Sequence, residues 1–151
     1  LTPCDVSVML AQAEGEYRRR LEDSGLELVL HEAKSDTPLR ILADGRRLWR
    51  VFDNLLSNAC KYAQSGTRVY LTLEKIGNEA VISFKNISRA SLELAPEELM
   101  ERFVRGDKSR TTEGNGLGLS IAQSLTELQG GTLGLSIDGD LFKVVLKFPL
   151  I

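Results

Sequence analysis

Near the start of the chain, Met9, Leu10, Ala13, Tyr17 and Leu21 recur at helical spacing behind Asp5, a residue type that caps helix N-termini. Gly25 is a stop signal, and Leu26-Glu27-Leu28-Val29-Leu30 predicts a strand. Asp36-Thr37-Pro38 marks a turn, and Leu39-Arg40-Ile41-Leu42 a second short strand. Asp44-Gly45 then opens the most strongly patterned helix of the chain. Its stripe of Leu48, Val51, Phe52, Leu55, Ala59 and Tyr62 advances in steps of three and four, and Gln64-Ser65-Gly66 ends it.

The period then changes from helical to two. Val69, Leu71 and Leu73 alternate with polar residues, Gly77-Asn78 turns the chain, and Ala80, Ile82 and Phe84 alternate again, which predicts a hairpin with one face on the core. Pro96 suits the first position of a helix over Glu97 to Phe103. A polar stretch runs from Arg105 to Asn115. From Leu117 the helical period returns with Ile121, Ala122, Leu125 and Leu128, closed by Gly130-Gly131. A last hairpin turns around Asp138-Gly139, with Leu133, Leu135 and Ile137 before it and Phe142, Val144, Leu146 and Phe148 after it. Three or four helices among five to seven strands predict an α+β fold. The expected architecture is a two-layer α/β sandwich whose mixed, mostly antiparallel sheet carries its helices on one face.

Composition adds limits. The 151 residues make one domain without repeats or a linker, with 42% hydrophobic and 26% charged residues, as in soluble globular folds. No apolar run approaches the ~20 residues of a transmembrane helix. Nineteen Lys and Arg against 21 Asp and Glu leave a net charge of −2, a poor basis for binding nucleic acid. Cys4 and Cys60, with the single His31, have no metal-ligand spacing, so free thiols in a reducing, cytosolic setting are expected. The chain begins at Leu1 without a signal-peptide pattern and reads as a piece of a longer protein.

Two segments carry chemistry. In Gly114-Asn115-Gly116-Leu117-Gly118-Leu119, three alternate glycines precede a helix. They either let the backbone approach a phosphate at a helix start or make a pliant loop with a capped helix; the spacing is neither a Walker loop nor a dinucleotide fingerprint. In the second segment, Asn54, Asn58, Lys61 and Tyr62 share one side of a helix. Asparagine is a mediocre helix former. The pair either supplies oxygen to a hard cation with Lys61 beside phosphate, or faces water while Lys61 snorkels and Tyr62 enters the core.

Taken together, "FDNLLSNACKYA", "ELMERFVRGDKSR" and "GNGLGLSIAQSLTELQGG", in this order and spacing, resemble the ATP-binding catalytic domain of sensor histidine kinases. That domain belongs to the gyrase, heat-shock chaperone, histidine kinase and mismatch-repair ATPase superfamily, with a Bergerat-type fold, and the resemblance covers essentially the whole chain. It implies ATP and Mg²⁺ as cofactors, with Asn58 as the Mg²⁺ ligand and Asn54 in the same pocket. Lys61 would contact phosphate and Tyr62 would lie beside the nucleotide. Phe103 would be the F-box aromatic, and Arg105 would close over the terminal phosphate. Gly114, Gly116 and Gly118, with the amides of Leu117 and Leu119, would hold the triphosphate, and residues 104–116 would be the mobile ATP lid. Asn58, Lys61 and Arg105 are thus the expected catalytic residues.

The resemblance also marks two departures. Superfamily members that hydrolyse ATP, and the anti-sigma serine kinases, place a Glu base one turn before the Mg²⁺-binding Asn. Here that position is Asn54, which cannot take a proton, while Asp53 points about 100° away. ATP binding without efficient hydrolysis is therefore expected. The family's first glycine box, an Asp followed by alternate glycines, is Asn86-Ile87-Ser88-Arg89-Ala90 here. Asn86 can still accept from the adenine amino group, though as a neutral acceptor.

The leading expectation is a histidine protein kinase fragment of a two-component, signal-transducing phosphoprotein. It would transfer the γ-phosphoryl group to a histidine on separate dimerisation helices and serve a response regulator. The alternative is a nucleotide-sensing pseudokinase. His31 is expected to be structural or exposed rather than the acceptor. The fragment is expected to be monomeric, and the full protein a homodimer whose cytoplasmic domain this is, in a membrane-bound sensor.

Overall fold

A computed structural model describes residues 1–89 and 115–151. The described elements follow in the order β1 (Thr2–Asp5), α1 (Val6–Asp23), β2 (Glu27–Glu32), β3 (Arg40–Ala43), α2 (Gly45–Tyr62), β4 (Arg68–Ile76), β5 (Glu79–Ile87), α3 (Asn115–Leu128), β6 (Thr132–Asp138) and β7 (Leu141–Pro149). The helix expected over Glu97 to Phe103 lies outside the described residues.

A five-stranded sheet runs in the order β2-β4-β5-β7-β6. β2 pairs in parallel with β4, and the remaining neighbours are antiparallel. The parallel pair follows from the crossover between them, which includes α2; the antiparallel pairs follow from the two-residue turns at Gly77-Asn78 and Gly139-Asp140. Strand alternation sends Val69, Leu71, Leu73, Ala80, Ile82, Phe84, Val144, Leu146 and Phe148 to one buried face. The three described helices cover that face: α1 packs on β2 and α2, α2 on β5 and α3, and α3 on β6. This is the two-layer sandwich expected from the sequence pattern.

β1 is the element that hydrophobic periodicity does not announce. Four residues with an exposed first half pair with β3 in a separate two-stranded sheet, Thr2 opposite Ala43 and Asp5 opposite Arg40. That small sheet is tied to the chain's end, where Ile41 bridges Leu150 and the Ile151 amide donates to the Arg40 carbonyl at 3.0 Å. The other boundaries shift by up to three residues from expectation, with α3 beginning at Asn115 rather than Leu117.

Two glycines are structurally required. Gly25 has φ +78°, and its carbonyl accepts from the Gly66 amide at 2.7 Å, joining the turn after α1 to the turn after α2. Gly131 leaves no room for a methyl group: a Cβ there would stand 2.6 Å from the Phe148 ring and 2.9 Å from the Lys147 carbonyl oxygen. Phe148 is fully buried and backbone cannot retreat. Gly131→Ala is therefore expected to cost about 1–3 kcal/mol through overpacking, read as a fall of several degrees in the thermal unfolding midpoint. An unchanged midpoint would refute the close approach.

Candidate functional site

The site is built on α2. Asp44 caps it, its side chain accepting from the Arg46 and Arg47 amides at 3.0 and 3.3 Å. Leu48, Val51, Phe52, Leu55, Leu56 and Ala59 are buried, and the Phe52 ring meets the Phe84 ring of β5 with centroids 5.6 Å apart. With that stripe on the sheet, α2 has two polar rows left. Asn54, Asn58, Lys61 and Tyr62 form one; Asp53, Ser57 and Cys60 form the other. All seven residues are half-buried.

In the first row, the Asn54 Nδ2 is buried and has no hydrogen-bond partner among the described residues. Such a donor costs stability unless something fills it, so this side of α2 suits a polar ligand. The row ends against the chain that leaves β5. Ala63 bridges Ser88, the Gln64 amide donates to the Ile87 carbonyl at 2.7 Å, and the Arg89 amide donates to the Tyr62 carbonyl at 2.9 Å. The Arg89 guanidinium also donates to the Lys61 carbonyl, a cation at the negative end of the helix. Asn86, 8% exposed and opposite Phe142 on the helix-covered face, is thereby held beside the C-terminal end of α2.

The second side of the site comes from α3. Gln129, 3% exposed, accepts from the Asp44 amide through Oε1 at 2.9 Å and donates to the Leu125 carbonyl through Nε2 at 2.9 Å. The C-terminal end of α3 thus touches the N-terminal end of α2, and the two packed helices run antiparallel. Gln129 lies 14 residues after Asn115, and Asn58 lies 14 residues after Asp44. Over that distance, about 21 Å of helix, the start of α3 comes level with Asn58. The first turn of a helix has unpaired N–H groups and the positive dipole end, so an anion is favoured there.

Gly116, Leu117 and Gly118 lie in that first turn, and the Leu119 side chain is buried at 1% exposure. The structure therefore brings Asn54, Asn58, Lys61, Tyr62, Asn86 and the start of α3 to one end of the helical layer. Phe103, Arg105 and Gly114 lie outside the described residues, as does the lid range up to residue 114; Asn115 and Gly116 already belong to α3. His31 is exposed on β2, opposite Thr72. The two cysteines are unpaired, and no cluster of three metal-ligating side chains occurs among the described residues. A cavity of about 620 Å³ opens beside Gly25, Arg68 and Tyr70 and includes neither Asn54 nor Asn58.

The second polar row faces α1, and sequence reasoning missed what it meets there. The Tyr17 hydroxyl donates to the Asp53 carboxylate, and the Asp53 carbonyl oxygen is 3.2 Å from the same hydroxyl. Arg20 stacks over the Tyr17 ring at 5.4 Å, with Nη1 3.4 Å from its hydroxyl and Nη2 3.5 Å from the Ser57 Oγ. Burial, and then the hydrogen bond to Asp53, push the Tyr17 hydroxyl well above its usual range. Burial likewise pushes the Cys60 thiol up, against the pull of Arg20 and Lys61, which disfavours the thiolate. The available signal was Tyr17 on the buried stripe of α1 and the i, i+4 pair Asp53 and Ser57, each immediately before a site asparagine. Arg89 and Gln129 had no comparable local mark.

Residues 43–150 match the family described as Histidine kinase-, DNA gyrase B-, and HSP90-like ATPase. The chain is similar to the probable sensor protein PcoS of Escherichia coli, 38% identical over 113 residues, which is 74% of this chain and 24% of that one. It spans about a quarter to a third of the length of the curated relatives it matches. Among solved structures, the catalytic domain of the histidine kinase ThkA superposes with a TM-score of 0.80 at 21% identity, over 98% of this chain and 94% of that one. Full-length ShkA in complex with AMPPNP superposes with a TM-score of 0.77 at 26% identity, over 99% of this chain and 31% of that one.

The Tyr17–Asp53 pair has a pH signature. The folded state holds the tyrosine proton more tightly than the unfolded state does. Its contribution is therefore complete below about pH 10, the usual tyrosine value, and is lost as pH rises beyond it. Tyr17→Phe is expected to lower stability by about 1–2 kcal/mol at neutral pH and to flatten the fall above pH 10. Urea midpoints of both proteins between pH 8 and about 11 check this, and parallel curves would refute it.

Proposed function

The chain belongs to the histidine kinase, DNA gyrase B and HSP90-like ATPase family and has the fold of histidine kinase catalytic domains; on that premise we propose that it presents Mg²⁺-ATP for transfer of the γ-phosphoryl group to a histidine on a separate domain of a sensor kinase. The observation that carries this reading is the antiparallel pairing of α2 with α3, which sets the anion-favouring start of α3 level with Asn58. The similarity to ShkA, solved at full length in complex with AMPPNP, supports a triphosphate there.

Each group has a task in this reading. Asn86, buried on β5, accepts from the adenine amino group, and Tyr62 lies beside the base. The first-turn amides of α3, including those of Leu117 and Leu119, with Gly114, Gly116 and Gly118, take the phosphates. Lys61 adds a point charge. We place Phe103 and Arg105 in the lid over residues 104–116, with Arg105 on the terminal phosphate. Asn58 offers a hard amide oxygen, and the orphaned Asn54 nitrogen beside it wants an acceptor, so the donor set fits a hydrated Mg²⁺ with its phosphate oxygens. That ion supplies charge neutralisation across the phosphates. The 151 residues act as a single domain whose contribution is positioning.

No described group on this side of α2 is suited to activate water. Asn54 is an amide, and the Asp53 carboxylate is turned to α1 and held by Tyr17. Hydrolysis by the chain alone is therefore slow, and the exposed His31 on β2 does not act as the acceptor. We assign the acceptor to dimerisation helices of the same protein, as in a homodimeric kinase with a response regulator as its next partner. No described helix is long and apolar enough to cross a membrane. We place the domain on the cytoplasmic side of a membrane-bound sensor.

Calorimetric titration tests the reading. The wild-type chain is expected to bind ATP more tightly with Mg²⁺ than without it and to release almost no phosphate. Asn58→Ala is expected to remove the Mg²⁺ gain. Asn86→Asp is expected to tighten ATP several-fold, since a charged acceptor strengthens the bond by about 1 kcal/mol. Absence of ATP binding, or rapid hydrolysis, would overturn the assignment.

A further inference from the structure

Resting on the nucleotide site described above, we propose that Tyr17 through Asp53, and Arg20 through Ser57, are positioning residues that set the rotation of α2 and thereby aim Asn54 and Asn58. Consecutive helical residues are 100° apart, so holding residues 53 and 57 holds residues 54 and 58. A helix with its side chains is about 10–12 Å across, which places side-chain ends ~5–6 Å from the axis. A 10° roll of α2 then displaces them by ~1 Å, and misplacement on that scale is enough to cost on the order of 10²-fold in a positioned site.

Hydrogen bonds from Gln129 and Arg89 hold the two ends of α2, and along its middle the row facing α1 adds directional bonds. Its buried stripe, Leu48 to Ala59, fixes which side of the helix meets the sheet, and the non-directional apolar contact leaves the fine angle to hydrogen bonds. On the site row, the Asn54 amide nitrogen has no partner among the described residues, so it does not anchor the helix. The row facing α1 is different, because a hydrogen bond weakens steeply with angle. The Tyr17 hydroxyl meets the Asp53 carboxylate and lies 3.2 Å from the carbonyl of the same residue, so it grips side chain and backbone together. Arg20 extends the grip one turn along, reaching from the Tyr17 hydroxyl to the Ser57 Oγ at 3.5 Å. The raised Tyr17 proton affinity keeps this donor in place across the working pH range. α1 thereby becomes part of the nucleotide site without touching the nucleotide.

The test uses the 151-residue chain and two variants, Tyr17→Phe and Ser57→Ala, with two readouts. In the ligand-free state, the side-chain amide NMR signals of Asn54 and Asn58 are expected to shift in each variant while those of Asn78, in a distant turn, stay. In ATP titrations, the affinity gain on adding Mg²⁺ is expected to fall about tenfold in Tyr17→Phe, the low end for losing a group that orients a metal ligand. ATP affinity without Mg²⁺ is expected to hold, whereas a purely structural role would weaken both conditions alike. Unmoved amide signals and an unchanged Mg²⁺ gain in folded Tyr17→Phe would overturn the network. Should that variant fail to fold, the same pair of results in Ser57→Ala would do so. A wild type that binds no ATP would overturn the proposed function and, with it, any role of the network there.

Discussion

The rotation of α2 about its own axis is the constraint on which the rest of the molecule depends. One helix of 18 residues must satisfy three neighbours at once. Its apolar stripe sits on β5, its asparagine row faces the site, and Asp53 and Ser57 reach α1. Because the three rows are fixed relative to one another by helical geometry, any roll that relieves one contact strains the other two. The N-terminal end is held as well, since Asp44 caps the helix with its side chain while its amide is taken by Gln129.

The sheet serves that constraint from below. The Phe84 side chain supports α2, and two residues further along β5, Asn86 emerges on the same face at the point where α2 ends. Main-chain bonds from Gln64 to Ile87 and from Arg89 to Tyr62 close that corner, so the expected adenine acceptor and the expected cation ligand are joined by backbone rather than by a long lever. The division of carboxylate and amide across α2 has a chemical consequence. The acidic group is consumed in holding α1, and the side proposed to face ATP carries amides at Asn54 and Asn58, which can orient a nucleotide but cannot deprotonate water.

Most of the elements were legible in the sequence because each buries one face of a regular period. Leu48 to Ala59 at steps of three and four, and Val69 to Phe84 at steps of two, admit few other readings. β1 was not legible, because its residues bury little and their pairing partner, β3, lies more than thirty residues away. The asparagine row and the alternate glycines were legible as a pair of motifs. That the asparagine row and the start of α3 lie at one end of one layer was not, since it depends on Gln129 meeting Asp44 across 85 positions of chain.

The sequence by itself therefore determined the element types, the two-layer class and the family to which the chain belongs, because those follow from local period and motif spacing. Tertiary structure alone decided which way Asp53 faces, that Tyr17 and Arg20 hold it and its neighbour Ser57, and that the start of α3 stands level with Asn58. The physical reason is range. Periodicity is set by backbone geometry within a few residues, whereas the hydrogen bonds that fix the roll and register of α2 join residues 36, 37 and 85 positions apart, and only the folded chain brings them within reach.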